Sequence, residues 1–144
     1  IRTHRNIYLW GPAGGGKTHL ANAAIAQRHL DGAKVMVFKP RELVNMFRKS
    51  DPTEEAKSMD QIVSLDFLLI DELGISKFTD FAIGIICEII EKRSYKGKRG
   101  IIITSNLYIS ELEKKCQDDR LSSRLSENFY FLEINPGRDF RVPQ

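Results

Sequence analysis

The sequence predicts an α/β fold, a three-layer sandwich in which a parallel sheet lies between helices. Short apolar runs alternate with longer amphipathic stretches along the 144 residues, and this alternation is typical of repeated β-α-β units. The runs 68–70 and 101–103 show no alternation of polar and apolar residues, which indicates strands buried on both faces of a parallel sheet. A chain of this length favours one compact domain, and we expect residues 1–144 to form it.

The first predicted unit is a strand over residues 7–10, a glycine-rich turn and a helix over 17–30. The helix contains four alanines, which favour helical backbone and allow close packing on a sheet. Asp31 and Gly32 are predicted to end it, because glycine readily adopts the left-handed backbone found just after a helix.

The second predicted unit is a strand over 35–38 and a short helix over 40–47. Pro40 suits the first turn of that helix, where the N–H group that proline lacks would have no intrahelical acceptor. The following stretch, 50–60, contains Pro52 and four acidic residues, and we expect it to be a loop.

The third strand, 67–70, ends at two acidic residues and precedes the longest predicted helix. Thr79 or Asp80 is expected to cap this helix, and apolar residues recur in it at helical spacing as far as Tyr95. A basic turn then leads to the fourth strand, 101–103.

Two short helices and a fifth strand complete the predicted fold. Ser110 is predicted to cap the first of these helices, with Glu113 at the spacing of a capping box. The second helix covers 120–125. The fifth strand is centred on 130–132 and is stopped by the turn-forming residues 135–137.

Composition places the chain among ordinary globular proteins. Hydrophobic residues make up 42% and charged residues 28%, which argues against general disorder. The longest apolar run is far shorter than the ~20 residues of a membrane span, so no membrane contact is predicted. Cys87 and Cys116 lack metal-ligand spacing and are predicted to be reduced thiols of a cytoplasmic protein. Because the chain begins at Ile1, we expect a fragment that lacks an N-terminal partner-binding region.

One run carries a specific chemical prediction. It is Gly11-Pro12-Ala13-Gly14-Gly15-Gly16-Lys17-Thr18, which matches GxxxxGK(S/T) between a strand and a helix, the context that phosphate binding requires. Glycines let backbone N–H groups converge on phosphate oxygens, and the helix start adds the positive end of its dipole. Lys17 is expected to reach the β- and γ-phosphates of a nucleoside triphosphate, and Thr18 to ligate Mg²⁺. The backbone N–H of His19 lies where the α-phosphate would approach.

Polar residues also follow the third and fourth strands. Asp71 and Glu72 are adjacent, and because side chains alternate along a strand, their carboxylates need not share a direction. We expect Asp71 to hold the Mg²⁺ shell, Glu72 to polarise the attacking water and Asn106 to orient it, since sites collect at the carboxyl ends of parallel strands. The alternatives are a solvated loop start for the acids and a turn residue for the asparagine.

Four runs together resemble one family. They are Gly16-Lys17-Thr18-His19-Leu20-Ala21, Asp71-Glu72-Leu73-Gly74, Thr104-Ser105-Asn106 and Arg120-Leu121-Ser122-Ser123-Arg124-Leu125. They look like the AAA+ ATPases of the DnaC/DnaI helicase-loader group, with which the transposition helper IstB shares them, and the resemblance spans residues 7–141. It implies a P-loop NTPase fold with five parallel strands in the order 5-1-4-3-2 and no helical lid domain. ATP is the implied nucleotide, Asp71 and Glu72 the Walker B acids and Asn106 sensor 1.

The resemblance also implies roles for arginines. Arg124 resembles the arginine finger that reaches the ATP of a neighbouring subunit, a role that suits a permanently charged, delocalised donor. Arg120, one helical turn away, is the rival, and surface ion pairs are the alternative for both. Arg141 would take the sensor 2 role, although Asp139 replaces the usual small hydroxyl residue.

The function implied is an ATPase, weak as an isolated subunit, that acts as a homo-oligomeric switch on a replicative helicase and single-stranded DNA. The same residues fit a transposition helper that acts on duplex DNA and a transposase. A small-molecule P-loop kinase and an adaptor that binds ATP without hydrolysing it are the remaining hypotheses. A basic cluster suits a phosphate backbone, but a solvated helix end explains it more simply. Its members are Lys92, Arg93, Lys96, Lys98 and Arg99.

Overall fold

The computed structural model describes residues 6–48, 51–75, 77–98, 100–135 and Gly137. The strands are β1 (Asn6–Trp10), β2 (Val35–Phe38), β3 (Phe67–Leu73), β4 (Ile101–Ser105) and β5 (Phe129–Glu133). The helices are α1 (Lys17–Leu30), α2 (Pro40–Arg48), α3 (Pro52–Ser64), α4 (Asp80–Tyr95), α5 (Ile109–Cys116) and α6 (Arg120–Asn128). Within the described ranges no helix follows β5.

All paired strands are parallel and form one sheet in the order β2-β3-β4-β1-β5. This is the predicted order 5-1-4-3-2 read from the other edge, so the predicted α/β fold class is confirmed. Because the strands are parallel, the ends of β1, β3 and β4 lie at one edge of the sheet, where the polar residues of the predicted site also lie.

Helices cover both faces of the sheet. α1 packs through Ala21 and Ile25 on the face that carries Leu9 and Leu69. The other helices of the described chain contribute to a larger core cluster on the opposite face. Residues 68–70 are fully buried, which agrees with the place of β3 inside the sheet between β2 and β4. No helix in the described part of the chain is both long and apolar enough to cross a membrane.

The prediction of a loop over 50–60 is wrong, because residues Pro52–Ser64 form α3. The carboxylate of Asp51 caps the helix by accepting a hydrogen bond from the backbone N–H of Glu54, and the proline lies in the first turn. Apolar residues in the second half of the helix pack into the core; they are Met59, Ile62 and Val63. The proline and the acids that suggested a loop are therefore signals of a helix start.

The predicted cap of α5 is also wrong. The helix begins one residue before Ser110, and the carboxylate of Glu111 accepts a hydrogen bond of 2.7 Å from the backbone N–H of Tyr108. Glu113 instead accepts a hydrogen bond of 3.0 Å from the hydroxyl of Ser122 in α6. Glu113 therefore joins two helices rather than closing the start of one.

The basic cluster is not one continuous cationic surface. Arg93 is fully buried, and its guanidinium donates hydrogen bonds to the carbonyl oxygens of Ile62 (2.9 Å) and Leu65 (2.8 Å) at the end of α3. Burial lowers the pKa of Arg93 to about 10. Two lysines of the cluster form ion pairs, Lys92 with Glu88 and Lys98 with Asp66. Arg99 lies outside the described residues.

Candidate active site

The glycine-rich loop has a backbone that side chains would disturb. Gly11 has a φ of 150°, and a Cβ there would lie 2.1 Å from the carbonyl oxygen of Ile134. Gly16 is the N-cap of α1 and has a φ of 90°, a left-handed backbone that favours glycine. Apart from its own neighbours in the chain, nothing packs within 4 Å of the place of its Cβ. The first-turn N–H groups of α1 lack intrahelical acceptors, so the loop and the helix start have the geometry of the predicted anion site.

Lys17 lies beneath the loop with 7% of its surface exposed. Its ammonium group donates hydrogen bonds to the carbonyl oxygens of Gly11 (2.8 Å) and Pro12 (2.7 Å). These bonds compensate for the burial of the charge and hold Nζ at the loop. A phosphate oxygen is a stronger acceptor than a carbonyl oxygen because it is charged, so Lys17 is placed to turn from the loop to a phosphate.

Hydroxyl and carboxylate groups meet below the loop, where α1, β3 and β4 converge. Asp71 is buried, and its Oδ1 accepts hydrogen bonds from the hydroxyls of Thr18 (3.0 Å) and Thr104 (2.5 Å). Mg²⁺ prefers oxygen ligands, and Thr18 and Asp71 supply such oxygens at one point. The donor set therefore fits the predicted magnesium ion.

Glu72 lies in a different environment from Asp71. It has a φ of 63°, a left-handed backbone that is uncommon for residues with a Cβ. Its backbone N–H donates a hydrogen bond of 2.8 Å to the hydroxyl of Thr104, and its carboxylate lies 3.4 Å from Nζ of Lys39. The two adjacent acids thus separate, as the sequence predicts, into one buried and one half-exposed carboxylate.

A cavity of about 750 Å³ opens at this edge of the sheet. The predicted residues Lys17, Thr18, His19, Glu72 and Asn106 all line it. A volume of this size is in the range of small-molecule and nucleotide sites. The structure therefore brings the glycine loop, the water-activating acid and the asparagine after β4 to one cavity, while their catalytic roles stay predictions.

Two residues that contact the predicted acids, Lys39 and Thr104, were not predicted as site residues. Lys39 directly follows β2, and Phe38 pairs with Ile70 in β3, so Lys39 and Glu72 lie at the same edge of two neighbouring strands. The implied strand order contained that signal. Thr104 belongs to a run that the family resemblance singles out, but only its three-dimensional contacts show that its hydroxyl touches both acids.

The arginines of α6 do not line the cavity. Arg124 forms an ion pair with Glu91 of α4, and Arg120 forms one with Asp118 at 2.6 Å. Within this chain, both Arg120 and Arg124 therefore form ion pairs at the surface, as the alternative to the finger role predicts. The predicted sensor 2 residue, Arg141, lies outside the described residues.

Comparison with known proteins gives consistent matches. The family model described as "IstB-like ATP binding protein" matches residues 1–130. The replicative helicase loader DnaC of Escherichia coli (strain K12) is 28% identical over 119 residues, which are 80% of this chain and 47% of DnaC. The ATP-binding protein of insertion sequence IS5376 from Geobacillus stearothermophilus is 30% identical over 126 residues, which are 87% of this chain and 49% of that protein.

The fold matches solved structures as well. AMPPCP-bound DnaA from Aquifex aeolicus has a TM-score of 0.80 and 22% identity, over 96% of this chain and 43% of that chain. The chain spans about half the length of the curated relatives it matches. Because the family model covers most of its residues, the chain belongs to the family of IstB-like ATP binding proteins.

Proposed function

We propose that the chain binds ATP with Mg²⁺, hydrolyses it to ADP and phosphate, and serves as the nucleotide switch of a replicative helicase loader. The observation that carries the proposal is the 3.0 Å hydrogen bond between Thr18 of the loop and Asp71 of β3. It joins the anion site to an oxygen donor set beside the cavity that Glu72 lines. Membership of an ATP-binding family supports the nucleotide.

The binding residues have separate tasks in this proposal. The loop N–H groups and the start of α1 hold the phosphates, and Lys17 adds a mobile positive charge. Thr18 and Asp71 would hold Mg²⁺, which would neutralise charge on the phosphates. The backbone N–H of His19 faces the α-phosphate. The Cβ positions of the loop glycines would otherwise obstruct these approaches.

Hydrolysis needs a base, an orienting group and a second cation. The carboxylate of Glu72 accepts a proton from the attacking water, and the exposed amide of Asn106 at the same cavity orients that water. Arg124 does not line the cavity of its own chain, so in this proposal it acts on the site of a neighbouring subunit. An isolated subunit would then hydrolyse ATP slowly.

A groove lined by cationic side chains supports the proposal that the chain binds a polyanion. Its volume is about 300 Å³, and it lies between α2 and the start of α4. Arg41, Arg48 and Lys77 line it, and its described lining contains no acidic residue. Phosphodiester groups bind such clusters and release counterions, so the groove suits the single-stranded DNA of the proposed function.

The test combines oligomer size and ATPase rate, each measured with and without single-stranded DNA. The proposal predicts slow turnover at high dilution, faster turnover on concentration, and a DNA effect that weakens with added salt. Glu72→Gln is the matched control, because it keeps the size of the side chain and removes its basicity. ATP binding without turnover above background, in wild type as in Glu72→Gln, would instead indicate an adaptor that binds ATP without hydrolysing it.

A transposition helper is the second candidate. The IS5376 protein is 30% identical to this chain and DnaC is 28% identical, so identity does not separate the two. The discriminating measurement is complex formation by the full-length protein with a purified replicative helicase and with a purified transposase, on single-stranded and on duplex DNA. A complex with the transposase on duplex DNA alone would replace the helicase-loader assignment.

A further inference from the structure

Thr104 lies opposite an irregularity in the sheet. Ile70 pairs with Ile103 and Leu73 pairs with Ser105, so two residues of β3 oppose Thr104 alone. Such a bulge leaves one residue outside the regular ladder and re-aims the side chains around it, and bulges are frequent beside active sites. The two residues in this bulge are Asp71 and Glu72.

The hydroxyl of Thr104 replaces the missing ladder contact. It accepts the hydrogen bond of 2.8 Å from the backbone N–H of Glu72. The same oxygen donates its proton to Oδ1 of Asp71 at 2.5 Å. One buried hydroxyl, with 1% of the residue exposed, therefore fixes the backbone of one acid and the side chain of the other.

We infer that Thr104 is a positioning residue for both acids, an inference that rests on the proposed function. Thr18 also donates to Oδ1 of Asp71, but it is the residue proposed to ligate Mg²⁺. If Thr18 were to ligate the ion, Thr104 would remain as the hydroxyl that orients the Asp71 carboxylate. Partners of this kind set the direction of a metal ligand, and their loss costs about 10–100-fold in metal affinity or activity.

Thr104 also supports the left-handed backbone of Glu72. A residue with φ of 63° persists only where its surroundings hold it. The accepted N–H bond is such a support, because an N–H group without a partner in the buried sheet would be costly. Without the hydroxyl, we expect Glu72 to leave the orientation in which it lines the cavity.

Thr104→Val tests the inference, because valine keeps the shape of threonine and lacks the hydroxyl. Calorimetry measures the affinity for ATP twice, once in EDTA and once in Mg²⁺. The ratio of the affinity in Mg²⁺ to the affinity in EDTA is the magnesium-dependent gain. We expect Thr104→Val to keep the EDTA affinity and to lose about tenfold or more of the gain, with kcat reduced about 10–100-fold. Thr104→Ser, which restores a hydroxyl, should stay within about threefold of wild type, a change well below the loss expected for Thr104→Val.

Ser122→Ala is the matched control. Ser122 of α6 is another buried residue, whose hydroxyl is hydrogen-bonded to the carboxylate of Glu113 in α5 and to the backbone carbonyl oxygen of Asp119. Its loss should lower stability while keeping the magnesium-dependent gain. A Thr104→Val protein with the wild-type gain and kcat would overturn the inference, and so would a Ser122→Ala protein that loses the gain equally. If Thr104→Val lacks a cooperative unfolding transition, Thr104→Ala takes its place with the same expected results. A wild type without any magnesium-dependent gain would contradict the proposed function itself.

Discussion

The ammonium nitrogen of Lys39 lies 3.4 Å from a carboxylate oxygen of Glu72. The lysine directly follows β2, and the glutamate lies at the bulged end of β3. The side chains are 59% and 39% exposed, so water screens the pair and its contribution to stability is small. The position of the lysine matters more, because it draws the proposed base towards the β2 edge of the sheet.

Replacing Lys39 with methionine is expected to raise the ATPase rate. The change frees the Glu72 carboxylate from a cation that competes for it, and an exposed pair of this kind limits the gain to about fivefold. Steady-state kcat measures the effect, and the melting temperature should stay near that of wild type. Lys34→Met, at the opposite end of β2, is the control and should leave kcat unchanged. A decrease in kcat for Lys39→Met would show that the lysine assists the reaction.

Replacing Glu72 with glutamine separates binding from hydrolysis. The variant is expected to keep affinity for Mg²⁺·ATP, because the phosphate contacts come from the loop, and to lose about 10²–10⁴-fold in kcat with the general base. Calorimetry and a phosphate-release assay measure the two quantities. If Glu72→Gln lost affinity for Mg²⁺·ATP while its kcat stayed unchanged, Glu72 would contribute to nucleotide binding instead of to hydrolysis.

Replacing Arg124 with alanine tests whether this residue acts as an arginine finger at the ATP site of a neighbouring subunit. Arg124 pairs with Glu91 and does not line the cavity of its own chain, so the proposal expects Arg124 to act at the site of a neighbouring subunit. We expect the ATPase rate of concentrated protein to fall by about 10³-fold, the lower end of the range for GTPase fingers. Arg120→Ala, whose side chain is held by Asp118, should have a smaller effect.

Mixing two inactive variants makes the test of Arg124 specific. Lys17→Ala subunits have a defective loop but an intact Arg124, so in mixed oligomers they should restore turnover at the sites of Arg124→Ala subunits. Restored turnover supports a shared site. A mixture as inactive as its components would argue against an arginine supplied by a neighbour.

Arg93 is expected to act on stability rather than on DNA binding. Arg93→Met removes the hydrogen bonds to the last carbonyl groups of α3, and their loss should cost about 1–3 kcal/mol. For a chain of this size that corresponds to a fall in the melting temperature of roughly 3–10 °C. Lys92→Met, from an exposed ion pair with Glu88, should change it little. If Arg93→Met bound DNA more weakly while its melting temperature stayed unchanged, Arg93 would instead belong to a DNA-binding surface.

The sequence predicts those parts of the site that consist of residues adjacent in the chain. The loop over 11–18 and the acids at the end of β3 follow from spacing and from strand ends, and several loop residues line one cavity together with Glu72. The order of the strands came from family resemblance. The stretch 50–60 was misjudged because proline and acids favour both loops and helix starts, and burial of the following apolar residues decides between them.

Contacts between distant elements could not be predicted from one sequence. The pairing of Arg124 with Glu91 depends on how α6 packs against α4. The burial of Arg93 depends on the end of α3 lying beside α4. A charged residue in a pattern is equally compatible with solvent, an ion pair or a buried cap, and the tertiary structure selects among them.

Calorimetric titration of the folded protein with ATP and Mg²⁺ tests the central claim most directly. We expect one saturable site for wild type, a much weaker site for Lys17→Ala, and an unchanged site for Lys114→Ala, which alters an exposed lysine of α5. Folded wild type that takes up neither ATP nor ADP, or Lys17→Ala that binds as wild type does, would contradict it.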